Sequence, residues 1–140
     1  MRAVIDTNVF VGACIGRGAS SKVTEACIAG TILPAMSLKL FLEYEDVVAR
    51  RELFVRARLN EPERQALFEI FVSKCTLVEV YFRLRPNLRD EGDNHLIDLA
   101  LAGNAEAIVT NNVRDFRGSE LRFDQIRIAT PEQIAMEIDR

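Results

Sequence analysis

Apolar residues along the chain alternate between short continuous runs and longer stretches with helical spacing. Ala3-Val4-Ile5 forms the first run, and Asp6 follows it at once. Val9 to Ile15, with Gly12, Gly16 and Gly18, predicts a short helix passing into a loop. Ser20 or Ser21 caps a second helix that extends to about Ala29, where Gly30 stops it. Thr31 to Ala35 supplies a second strand, and Ser37 caps a helix from Leu38 to about Arg51. Asn60 and Glu63 open another helix, with Pro62 in its first turn, reaching about Lys74.

The second half repeats the alternation. Leu77 to Phe82 predicts a third strand with Glu79 as its one charged residue, and Arg83 to Asp90 is a polar connection around Pro86. Asp90, with Asp93 three positions on, caps a helix to Ala102 that Gly103 ends. Ala107 to Thr110 and Ile126 to Ala129 are the fourth and fifth strands, and Thr130-Pro131-Glu132-Gln133 starts a terminal helix. Strand cores that are apolar throughout, alternating with helices, belong to a parallel sheet covered on both faces. The class is α/β, with no internal repeat.

A chain of 140 residues, 49% of them apolar, suits one domain (1–140) that buries its own core. The net charge of −3 argues against holding nucleic acid by a broad positive surface, so any such contact is local. Cys14, Cys27 and Cys75 are odd in number and form no Cys-x-x-Cys pair, which indicates neither a disulfide framework nor zinc and fits a reducing cytoplasm. The opening apolar run is too short for a signal sequence or a membrane span.

In open parallel sheets, ligands gather beyond the carboxyl ends of the strands. Asp6 directly follows the first strand, and Asp115 follows the fourth across Asn111-Asn112-Val113-Arg114. Asp93 opens the helix leading into that fourth strand, so it must enter the pocket from a loop or a tilted helix. Carboxylates gathered at one sheet edge repel each other unless a cation neutralises them. Oxygen donors with a single histidine, His95, favour Mg²⁺ or Mn²⁺ over zinc or copper. Such a site activates water for in-line attack on a phosphodiester and needs no covalent nucleophile.

The segments Val4-Ile5-Asp6-Thr7-Asn8, Leu42-Glu43-Tyr44-Glu45-Asp46-Val47-Val48-Ala49-Arg50, Asp90-Glu91-Gly92-Asp93-Asn94 and Val109-Thr110-Asn111-Asn112-Val113-Arg114-Asp115-Phe116 occur in the order shown by PIN domains. Over nearly its whole length the chain resembles the VapC-like ribonucleases of bacterial toxin–antitoxin pairs. The resemblance implies a three-layer domain with a parallel sheet in the order 3-2-1-4-5. It makes Asp6 the central ligand of Mg²⁺ or Mn²⁺, with Glu43, Asp93 and Asp115 completing the catalytic acids. Thr7, Asn8, Thr110 and Asn112 would orient the carboxylates and water by hydrogen bonding. The implied activity is hydrolysis of single-stranded or looped RNA, and the implied partners are that RNA, a small antitoxin and a second copy in a homodimer. Some relatives carry aspartate at the position of Asn112, so either Asn112 or Asp115 stands nearer the cation; Asp115 is preferred because it alone is charged.

Each of these residues also has an ordinary structural explanation. Asp6 suits a helix cap, Asp93 a first-turn acid and Asp115 a turn. Glu43 shares its helical spacing with Lys39, Asp46 and Arg50 as a solvated stripe, whereas Glu45 falls among Leu38, Phe41, Leu42, Val48 and Ala49, which makes it the runner-up ligand. His95 reads as a surface histidine. Lys22, Arg83, Arg85, Arg89, Arg114, Arg117 and Arg122 fall largely in loops, where about half would be merely solvated. The phenylalanines read as core. Two other functions compete with the nuclease: a non-catalytic PIN-like module that binds RNA or protein, and phosphotransfer. The latter fits poorly, because Asn8 stands where a second aspartate would be needed and no lysine follows a late strand.

Overall fold

The computed structural model describes residues 1–80, 91–116 and 125–139, excepting the side chains of residues 91–94. Its strands are β1 (Arg2–Ile5), β2 (Leu33–Met36), β3 (Thr76–Leu77), β4 (Ala107–Val109) and β5 (Arg127–Ala129). Its α-helices are α1 (Thr7–Ile15), α2 (Ala19–Ala29), α3 (Leu38–Val48), α4 (Glu61–Lys74), α5 (Glu91–Ala102) and α6 (Pro131–Ile138). Two 3-10 turns that the apolar pattern does not predict lie at Arg51–Phe54 and Val113–Phe116.

Among the described residues the strands form one sheet in the order β3-β2-β1-β4-β5, every pairing parallel. The expected strand order is therefore observed. Ala3, Val4 and Ile5, like Ala107, Ile108 and Val109, are almost wholly buried, so neighbouring side chains on opposite faces are both covered. α5 packs on β1, β2 and β4, while α1 and α2 pack together and α2 also meets α6. The chain leaves β1 toward β2 and later returns on its other side as β4, which places the topological switch point between β1 and β4.

Local sequence explains most element ends. Asn60 and Glu63 form a reciprocal capping box on α4, and Thr130 and Gln133 form one on α6. Ser37 accepts the Leu40 amide at the start of α3. Gly30 ends α2 in the left-handed region at φ 88°. At the end of α5 the left-handed residue is Asn104 (φ 54°) rather than Gly103. Gly103 serves close packing instead: a Cβ there would stand 3.2 Å from the Leu99 carbonyl oxygen and 3.3 Å from the Val78 side chain.

Two expectations are corrected. Neither Ser20 nor Ser21 caps α2; Gly18 does, and Ser21 is buried, donating to the Gly16 carbonyl at 2.8 Å. β3 begins at Thr76, one residue earlier than expected, and in the described residues it spans only Thr76–Leu77 before Val78 donates to the Met36 carbonyl; Tyr81, Phe82, the connection 83–90 and the Asp90 cap lie outside the described residues. Lys22 lies in α2, within the second helix that the sequence predicts, and pairs with Asp139 at 2.7 Å. Arg114 is exposed in the second 3-10 turn, and Arg83, Arg85, Arg89, Arg117 and Arg122 lie outside the described residues. Phe10, Phe41, Phe68 and Phe71 gather with Tyr44 in one aromatic cluster, as core residues do.

Candidate active site

Asp6 is the pivot of the switch point. Its amide donates to the Val109 carbonyl at 3.0 Å, extending the β1–β4 ladder by one bond, and its side chain then turns to cap α1. Oδ1 accepts the Thr7 backbone N–H at 2.8 Å, so Thr7 contributes through its main chain. Oδ2 accepts the Thr110 hydroxyl at 2.8 Å and the Asn8 amide at 3.3 Å. Capping and a functional role are thus compatible in this carboxylate, since each oxygen carries more than one lone pair.

Thr110 is fully buried at the end of β4, and its Oγ1 also accepts the Asn112 backbone N–H at 3.0 Å. Asn8 accepts the Asn111 backbone N–H at 3.1 Å, which ties the start of α1 to the loop after β4. The sequence did not single out Asn111, although its place beside Thr110 is where such a tie would be sought. Asn112 itself is exposed and enters the network through its backbone.

Burial raises the Asp6 pKa above the usual aspartate value; the Thr110 and Thr7 hydrogen bonds oppose this, the negative charge of Glu43 adds to it, and His95 opposes it. Glu43 therefore stands within electrostatic reach of Asp6. It is half-buried on α3, whereas Glu45 is exposed. The buried face of α3 is Leu40, Tyr44 and Val48, not the Leu38–Leu42 side on which Glu45 was weighed, because Leu38 and Leu42 are themselves 73% and 54% exposed.

His95 is the principal correction. Rather than lying on the surface it is 1% exposed, and its Nε2 stands 2.8 Å from Glu43 Oε1. Asp98, one turn further along α5, is also buried. Asp98 interrupts the apolar run Leu96-Ile97-Leu99-Ala100 and His95 stands directly before it, and a polar residue in or against such a run was the signal available in the sequence.

Asp93 lies in the first turn of α5, with its side chain outside the described residues. Asp115 is exposed in the 3-10 turn after β4, its amide donating to the Asn112 carbonyl at 3.1 Å, and it makes no hydrogen bond to Asp6, Glu43 or His95. The structure thus brings together Asp6, the Thr7 amide, Asn8, Thr110 and the Asn112 amide, and couples Glu43 to His95. Among the described residues no three of His, Cys, Asp and Glu converge to hold a metal ion. A cleft of about 850 Å³ lined by Leu38, Phe41, Leu42, Val72, Leu77 and Val78 includes neither Asp6 nor Glu43. Its lining is mostly apolar, with Ser37, Lys39 and Glu79 as its polar members.

A family model described as PIN domain matches residues 2–114. The chain belongs to the PIN-domain family. The match takes in Asp6, Glu43 and Asp93 and stops one residue before Asp115. No curated protein matches the chain. Among solved structures it is similar to a chain in the crystal structure of VapBC2 from Rickettsia felis bound to a DNA fragment from their promoter, with a TM-score of 0.59 and 17% identity over 93% of this chain and 98% of that one. At that identity the likeness bears on the PIN fold. No helix among the described residues of this PIN-domain chain is long and apolar enough to cross a membrane.

Proposed function

We propose that this PIN-domain protein is a divalent-cation-dependent endoribonuclease and the toxin of a toxin–antitoxin pair. The observation that carries the proposal is the Asp6 carboxylate: partly buried at the switch point of a parallel sheet, held by Thr110 and Thr7, and within reach of a second acid, Glu43. Keeping these acids charged together at neutral pH calls for a positive ion, and all-oxygen donors suit Mg²⁺ or Mn²⁺. Asp6 and Glu43 would hold it, with Asp93 and Asp115 completing the set. When bound, the cation supplies charge that lowers the pKa of water and stabilises negative charge on a phosphate.

The chain's own residues supply the positioning. Thr110 and Asn8 fix the rotation of the Asp6 carboxylate, so the remaining lone pair on Oδ1 faces one direction. Asn8 and the Asn111 amide pin the loop carrying Asp115 to the start of α1. RNA then docks through local contacts, since the net charge of −3 offers no general attraction. The small antitoxin and the homodimer follow from the resemblance to VapC-like toxins alone, and action in the cytoplasm accords with the three unpaired thiols.

The test is cleavage of a mixed RNA substrate with Mn²⁺ or with EDTA, comparing wild type, Asp6→Asn and the surface control Glu132→Gln. Cleavage by wild type and Glu132→Gln with Mn²⁺ only, and by Asp6→Asn under neither condition, supports the proposal. Cleavage that survives both chelation and the Asp6 substitution sinks it. Absence of any cleavage by antitoxin-free wild type would favour the RNA- or protein-binding module instead.

A further inference from the structure

We propose that His95 is a positioning residue for Glu43, a role that rests on the cation reading of the Asp6 pocket and assigns a function to a histidine that the sequence placed on the surface. His95 is 1% exposed, so its ring is immobilised within α5. Glu43 lies across from it on α3, which packs against α5, and its side chain is 40% exposed. A glutamate in that setting samples many rotamers, and ordering it opposes ligand binding. The Nε2–H of His95 donates to Glu43 Oε1 at 2.8 Å and removes that freedom in advance. One carboxylate oxygen is thereby held by the histidine, while Oε2 has no hydrogen bond among the described residues.

The pairing also gives a partner to a polar ring buried in a mostly apolar stretch of α5. Donation from Nε2 selects the tautomer, and the carboxylate needs its remaining lone pairs directed at one place rather than exchanged among waters. Tyr44, the residue after Glu43, donates to the Ile5 carbonyl at 2.6 Å, which holds this turn of α3 against the end of β1 that Asp6 follows. His95 thus touches neither cation nor substrate in this arrangement and works through Glu43.

The experiment is Mn²⁺ titration of the full chain at fixed pH, followed by the electron paramagnetic resonance signal of the free ion. The proteins are wild type, His95→Ala, His95→Gln, Glu43→Gln and the Glu43→Gln/His95→Ala double variant. Removing a group that orients a ligand typically weakens metal affinity about 10- to 100-fold, and the lower end is expected for His95→Ala. His95→Gln keeps an N–H donor at similar reach and should bind within about threefold of wild type. In the Glu43→Gln background His95→Ala should add nothing, as two members of one interaction do not act independently. Should His95→Ala fail to fold, His95→Leu preserves the volume and takes its place against His95→Gln. Wild-type affinity in His95→Ala or His95→Leu, or an undiminished effect of His95→Ala without Glu43, overturns the positioning role while the cation site stands. Failure of wild type to bind Mn²⁺ overturns the cation site and this role together.

Discussion

The Tyr44 hydroxyl donates a 2.6 Å hydrogen bond to the carbonyl of Ile5, the residue immediately before Asp6. Tyr44 is fully buried and adjoins Glu43 on α3, so one side chain fixes the height of that helix against the end of β1. The distance between the two candidate acids is therefore built into the core rather than left to surface side chains. Tyr44→Phe keeps the aromatic packing but strands a buried carbonyl. It should cost about 1–2 kcal/mol, seen as a lower urea midpoint with an unchanged slope. A midpoint equal to wild type would show that water replaces the hydroxyl without penalty.

Asp6 makes folding stability depend on pH in a defined direction. Its folded-state pKa is raised above the ordinary 3.8, so the native state holds this proton more tightly than the unfolded chain. Its contribution is most favourable below pH 3.8 and is lost as pH rises through the folded value. At neutral pH without divalent ions, Asp6→Asn should melt higher than wild type, because the charge that burial and Glu43 oppose is gone. Near pH 3.5 the gap should close. A gap that is independent of pH would mean that the Asn side chain, not the lost charge, is responsible.

Divalent ions should reverse that order. An ion that binds only the folded acids stabilises by mass action, about 2.7 kcal/mol at a concentration about 100 times its Kd. Millimolar Mg²⁺ or Mn²⁺ should raise the melting temperature of wild type by several degrees and leave Asp6→Asn nearly unmoved. Equal shifts in both proteins would place the ion elsewhere.

Ser37 offers a control in which stability and chemistry separate. It caps α3 through Leu40, one helical turn before the segment bearing Glu43 and Tyr44. Ser37→Ala should lower stability by about 1 kcal/mol while retaining Mn²⁺ binding and metal-dependent cleavage well below its melting temperature. Loss of Mn²⁺ binding in a folded Ser37→Ala protein would show that the fraying of α3 reaches Glu43.

The parts of the fold that depend on neighbours in sequence were legible without a structure. Asn60 with Glu63 and Thr130 with Gln133 announce helix starts because both halves of each capping box lie within one turn. The continuously apolar β1 and β4 announce a sheet buried on both faces. α3 misled because Leu38 and Leu42 are exposed beside an apolar cleft, so the apolar stripe in the sequence is rotated away from the buried face of Leu40, Tyr44 and Val48. His95 misled for the opposite reason. α5 is buried from His95 through Ala100 without interruption, and a helix covered on all sides has no periodicity that separates inside from outside. The His95–Glu43 contact spans 52 positions, and the Thr110–Asp6 contact spans 104. Only the strand order brings such residues together, and here it came from resemblance rather than from any local pattern.

The most direct measurement is anomalous diffraction from crystals soaked in Mn²⁺, because it locates the ion without reliance on activity. The expected result is a Mn²⁺ peak against the Asp6 carboxylate, with Glu43 and Asp93 turned toward it and the Thr110 and Thr7 bonds to Asp6 intact. Well-ordered soaked crystals with no peak at Asp6, or with Mn²⁺ held only by surface acids such as Glu61 and Glu63, would contradict it.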